Sequence, residues 1–226
     1  MSKDKANLKT GYTTGSSATA ASKAGLLSII NQQKIENIDI LLPKGNLIQI
    51  PIFSCDFELD KAKCSVIKNG GDDPDVTHGA EIIVEISFTE NVDEIEIDGG
   101  EGVGIVTKPG LGLEINKAAI NPVPKKMIIE NLRKIGGEIL QKKGIKVLIL
   151  VPKGKELGPK TDNPRLGIKG GISILGTSGI VIPFSTAAFA ASIRQSLDVT
   201  VAMGGDTVVL TTGGRSEDFA KKMVDL

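Results

Sequence analysis

The chain has 226 residues, with 27 basic and 27 acidic side chains that leave no formal net charge. That balance argues against nucleic acid as the main partner, which asks for a basic surface, and 3% aromatic content without tryptophan argues against base-stacking platforms. Two cysteines and one histidine fall short of a closed zinc site, so no metal ligands are expected. No apolar run reaches signal-peptide or membrane-spanning length, and a cytoplasmic protein of one large domain or two small ones is expected.

Residues 9–15 (KTGYTTG) read as a polar turn, and residues 16–30 as a helix rich in Ala18, Ala20, Ala21, Ala24 and Gly25. Thr13, Thr14 or Ser16 is placed to cap it. With no acid in its first turn, its positive end is either open to an anion or simply a capped core helix. Residues 37–42 and 47–53 form strands around a Pro43-Lys44-Gly45-Asn46 turn, with further strand from Phe57 to Ile67. Cys55 and Cys64 fall in these strands and are expected to be reduced structural thiols. Next comes KNGGDDPDVTHG (residues 68–79), which gathers Asp72, Asp73, Asp75 and the sole histidine, His78. This cluster is a candidate base or acceptor for a substrate N–H, and equally a turn built from ordinary turn formers. Its spacing lacks the glycine and terminal glutamate of a calcium loop.

Residues 80–88 alternate as a strand, with Ile82, Val84 and Ile86 on one face, and Ile95 and Ile97 mark another. The glycine loop GGEGVG (99–104) lacks the strand-loop-helix setting of a dinucleotide fingerprint. Residues 121–143 read as a helix with Pro122 and Pro124 in its first turn and a bend at Gly136-Gly137. Residues 146–151 (KVLILV) read as a buried strand, and 153–160 as a solvated loop or short helix. In residues 163–183, glycines 167, 170, 171, 176 and 179 lie among apolar β-formers, which predicts irregular backbone lying close against other chain. This segment feeds a helix over 186–197 capped by Ser185. Such an arrangement offers N–H groups to an anion or is packed for the fold alone. Residues 199–203 and 207–212 then read as short strands, 213–216 as a glycine turn and 217–224 as a helix, the opening of a Rossmann-type unit. The fold class is therefore α+β: a mixed-sheet N-terminal domain over 1–198, then the first βα unit of an incomplete Rossmann-like domain over 199–226.

Five segments occur in a recognisable order: KTGYTTGSSATAA from Lys9, GGDDPDVTHG from Gly70, GGEGVG with VTKPGLGL from Gly99, AINPVPKKMI from Ala118, and NPRLGIKGGISILGTSGIV from Asn163. Through them the chain resembles the cobalt-precorrin-5B C1-methyltransferases of anaerobic cobalamin biosynthesis over most of its length. Ser16, Ser17, Asn69 and Ile105 depart from that family's usual residues. The resemblance implies methyl transfer from S-adenosylmethionine to ring carbon C1 of a cobalt-bound tetrapyrrole, with cobalt present only as part of the substrate. It implies a cobalt-precorrin ligand, no nucleic acid and no membrane, and leaves self-association into a homo-oligomer open. Such a substrate is fringed with carboxylates, which main-chain N–H groups in glycine loops and at helix N-termini are suited to hold. The matching candidates are Thr13, Thr14, Gly15, Ser16, Gly102, Gly170, Gly171, Gly176 and Thr177, with Lys108 and Arg165 as side-chain clamps. Asp72, Asp73 and His78 are the catalytic candidates, and Thr212, Gly213 and Gly214 the candidates for the methyl donor. The rival expectation is a truncated, non-catalytic tetrapyrrole-binding protein.

Overall fold

A computed structural model describes residues 8–223. In chain order, β1 (Gly11–Tyr12) leads into α1 (Thr14–Asn31), followed by β2 (Asn37–Leu41), β3 (Leu47–Pro51), β4 (Ser54–Phe57), β5 (Lys61–Ile67) and β6 (Glu81–Thr89). Then come β7 (Ile95–Gly99), β8 (Ile105–Val106), α2 (Pro122–Ile135), α3 (Gly137–Leu140), β9 (Gly144–Leu150), α4 (Gly154–Leu157) and α5 (Asn163–Leu166). The last elements are β10 (Ile168–Lys169), β11 (Ile180–Val181), α6 (Thr186–Ala202) and α7 (Arg215–Met223).

The main sheet has the order β4-β5-β6-β9-β7. Its neighbours pair antiparallel except β7 and β9, which run parallel, so the sheet is mixed. Alternation sets the register: Ala62, Cys64 and Val66 of β5 face Ile86, Val84 and Ile82 of β6, and all are buried. A strand shifted by one residue would turn that whole set to solvent. Cys55 and Cys64 face each other across β4 and β5 with sulfurs 3.0 Å apart, both free and buried.

Helix α1 packs on β5 and β6 and is flanked by α2. Its small residues allow the approach: a Cβ on Gly25 would lie 2.7 Å from Ile86 Cγ2. Because α1 is buried nearly all round, its hydroxyls need partners; Thr14 and Ser16 donate to Ser173 O and Gly179 O, and others to the helix's own carbonyls. Thr19 donates to Gly15 O, Ser22 to Ala18 O and Ser28 to Gly25 O. Thr13 is its N-cap, accepting from Ser16 N–H. The predicted bend is a true break: α2 ends at Ile135, Gly136 caps it, and α3 starts at Gly137. Within α2, buried Asn131 clasps β2, accepting from Leu41 N–H and donating to Leu41 O.

The predicted β unit at the end of the chain requires correction. Residues 199–202 complete α6 rather than forming a strand, and Val199 is buried against Val106, Ala119, Leu166 and Ile168. Residues 207–212 have β-forming side chains but no strand partner, and they lie exposed. The final helix is present as α7, while Val224 lies outside the described residues. No described helix is long and apolar enough to cross a membrane.

Candidate functional site

Three of the singled-out segments converge at the N-terminal end of α1. Lys9 O accepts from Asp72 N–H, Lys9 N–H donates to Asp72 Oδ2, and Tyr12 N–H donates to Asn69 O. Gly11 and Gly71 are required here because the two backbones touch, and a Cβ on Gly71 would meet Lys9 O. From the other side, β11 pairs with β1. Thr14 Oγ1 accepts from Leu175 N–H at 2.9 Å and donates to Ser173 O at 3.1 Å. Asp73 Oδ1 accepts from Phe184 N–H, tying the acidic loop to the entry of α6.

These loops enclose a two-part cleft. An inner pocket of about 210 Å³ is lined by Thr13, Thr14, Lys68, Asp75, Asn163 and Ser173, among others. An outer, more open part of about 620 Å³ has Asp73, Lys160, Asp162 and Arg165 on its walls. Asp75, Thr161 and Asp162 border both. At the floor, Lys68 Nζ lies 2.5 Å from Asp75 Oδ2, and Thr77 gives both its N–H and its hydroxyl to Asp75 Oδ1. Burial pushes the Asp75 carboxyl up, but the Lys68 charge and the hydrogen bonds from Lys68 and Thr77 outweigh it and hold its pKa below the ordinary value.

The candidate residues fall into three groups. Thr13, Thr14, Asp73 and Arg165 border the cleft. Arg165 also reaches Glu217 of α7 at 3.5 Å. A second group packs behind it, close against other chain. Gly15 N–H goes to Leu175 O, Ser16 N–H to Thr13 Oγ1, and Gly176 lies against the Thr13 side chain. The positive end of α1 is therefore capped by the chain itself at these amides. Gly102 and Gly171 meet backbone to backbone, with Gly154 and Gly158 completing the seam, and a Cβ on any of them would strike a carbonyl oxygen. The third group is elsewhere: Lys108 lies over Gly167, and Gly170 and Thr177 are exposed.

Asp72 bonds Lys9, and His78 Nδ1 accepts from Gly70 N–H, so both brace the loop. Thr212, Gly213 and Gly214 are exposed, with nothing within 4 Å of a Cβ at either glycine. Two residues at the floor of the cleft were not selected from the sequence, Lys68 and Thr77. The signal for Lys68 was present: it continues the inward positions 62, 64 and 66 of β5 by the same step of two.

The profile of the CbiD family matches residues 1–183. The chain belongs to the CbiD family. A relative from Geobacillus kaustophilus (strain HTA426), named cobalt-precorrin-5B C(1)-methyltransferase, is 53% identical over 216 residues, covering 96% of this chain and 58% of its own. A relative of the same name from Priestia megaterium is 51% identical over 220 residues, covering 97% of this chain and 60% of its own. The 1.9 Å crystal structure of a cobalamin biosynthesis protein (cbiD) from Archaeoglobus fulgidus aligns with a TM-score of 0.60 at 32% identity, over 96% of this chain and 68% of that one. This CbiD chain thus spans less than two thirds of the two curated relatives' length.

Proposed function

We propose that this chain serves S-adenosylmethionine-dependent methyl transfer to C1 of cobalt-precorrin-5B, giving cobalt-precorrin-6A in anaerobic cobalamin biosynthesis. The observation that carries the reading is identity above one half, along nearly the whole chain, to relatives named for that reaction. Cobalt enters as part of the substrate. In the outer cleft Arg165 and Lys160 offer donors to a carboxylated macrocycle edge, beside the carboxylates of Asp73, Asp75 and Asp162. Asp73 is the one proposed base that borders it; Asp72 and His78 keep the loop in shape. Holding an acceptor in one orientation is itself a large part of catalysis, about 7–11 kcal/mol in well-aligned systems.

The methyl donor is S-adenosylmethionine in this reading, and no step is routed through residues 212–214, which do not enclose it. The second domain expected from residue 199 begins in this reading only after α6 closes at Ala202, and it fits the relatives' greater length. The reaction is placed in the cytoplasm, without nucleic acid or membrane, and self-association is open. A second reading is binding of the tetrapyrrole without turnover. Incubation with cobalt-precorrin-5B and S-adenosylmethionine, followed by mass spectrometry, separates the two. A product heavier by one methyl group supports the enzyme. Tight corrinoid binding without that product supports the second reading, and neither result would sink both.

A further inference from the structure

Lys68 is the only charged residue that is buried among the described residues, with 2% of its surface exposed. Its ammonium carries three hydrogens. Asp75 Oδ2 takes one of them, and no second acceptor is within hydrogen-bond distance among the described residues. An ammonium withdrawn from water with hydrogens unshared is costly to keep. The rest of the inner pocket has satisfied itself: Thr14 is engaged with Ser173 and Leu175, Ser173 donates to Asn163 Oδ1, and Asn163 Nδ2 donates to Gly171 O. What the pocket still offers is donor capacity on a cation.

Asp162 at the mouth makes the lining side chains net acidic, so an anion's support lies deeper, at Lys68 and the adjoining backbone. Asp75 balances Lys68, and its other oxygen is held by Thr77, so the pair is fixed and neutral. Thr13 and Thr14, at the N-terminal end of α1, line the same pocket, and α1 has no acid in its first turn. The helix field there is positive, reduced because the Gly15, Ser16 and Ser17 amides are already bonded. At about 210 Å³, the pocket is smaller than the roughly 300–1,000 Å³ that encloses a drug-sized ligand. It admits an arm and not a ring, and it opens to the outer cleft past Asp75 and Asp162.

We propose that Lys68, backed by Asp75 and the N-terminal end of α1, holds one carboxylate of a bound ligand in the inner pocket. This rests on the reading of function above, in which two ligands bring carboxylates: the macrocycle through its acetate and propionate arms, and the methyl donor through its amino-acid end. The test is calorimetry on the full chain with cobyrinic acid, its heptamethyl ester and S-adenosylhomocysteine. Lys68→Met is made together with Asp75→Asn, so that no buried charge is left alone. The expected result is a folded variant that binds the free acid about tenfold or more weakly, with affinity for the ester unchanged. A loss confined to S-adenosylhomocysteine supports the proposal with the methyl donor as the source of the carboxylate. A folded variant with native affinity for all three probes overturns it.

A second measurement does not depend on the variant folding. The Lys68 ammonium of the native chain is followed by ¹⁵N NMR during titration with propionate or propionamide. A saturable shift with propionate alone supports the proposal, and an equal response to both, or none, overturns it. A response to propionate in a chain that binds neither corrinoid nor S-adenosylhomocysteine keeps the role of Lys68 and removes the methyltransferase reading.

Discussion

Gly102 and Gly171 show why a side chain is excluded where two stretches of backbone meet. Their backbones touch, Gly102 has a φ of +75°, and a side chain on either would drive into a main-chain oxygen. Gly102→Ala or Gly171→Ala should cost roughly 3 kcal/mol by overpacking. Gly170→Ala, at φ +82° with open space around it, should cost about 1–2 kcal/mol from the backbone alone. Urea melts of the three variants measure the contrast, and equal costs would refute the seam. Asp75 gives a pH dependence. Its folded pKa is held below the ordinary value of 3.8, so its stabilisation is present above that value and is lost as pH falls through the folded one. Melts from neutral pH down into this acid range should show a loss that Asp75→Asn does not share. The sequence marked Gly171 as lying close to other chain but read 153–160 as solvated, because residues 102, 154, 158 and 171 meet only in three dimensions. It assigned three acids and a histidine to one loop, but not which side chain faces the cleft, since that depends on which of them brace neighbouring backbone.

Among the elements, β6 was legible from its alternation, the β2–β3 hairpin from its turn, β9 from its short apolar run, and α1 from its small residues and cap. The strand expected at 199–203 was misread for a physical reason. Val199, Thr200 and Val201 favour strands in isolation, but here they continue a helix whose Val199 is anchored in a small apolar cluster. The single turn of α5 in the glycine-rich segment was not expected either; Pro164 at its start favours it, and Gly167 at φ +71° ends it. Asn131 was passed over although it interrupts the apolar stripe of α2. Asn131→Leu would strand the Leu41 N–H and carbonyl and should cost about 2 kcal/mol. Thr13→Ala, which removes the α1 cap, should cost about 1 kcal/mol. Thermal melts of both variants check these values, and a neutral Asn131→Leu would show that α2 is not fastened to the hairpin through this side chain.

Across the whole molecule, burial is uneven. The sheet, α1 and α2 share one continuous core, whereas Val199 is the only buried residue of α6 and α7 has none. Ile182, Phe184, Phe189, Val201 and Met203 are exposed. Brief treatment with a low-specificity protease should therefore cut first within residues 203–214, which are exposed and mostly without regular structure, and leave the sheet and α1 intact. First cuts inside the main sheet would contradict that picture. The pairing of β1 with β11 also has a consequence for synthesis. Gly11 finds Val181 across nearly the full length of the described chain. At about 5–20 residues per second, a ribosome needs roughly ten to thirty seconds to make the stretch between them. During that interval the newborn Tyr12 strand has no mate, and the floor of the cleft stands open to whatever chaperone is nearby.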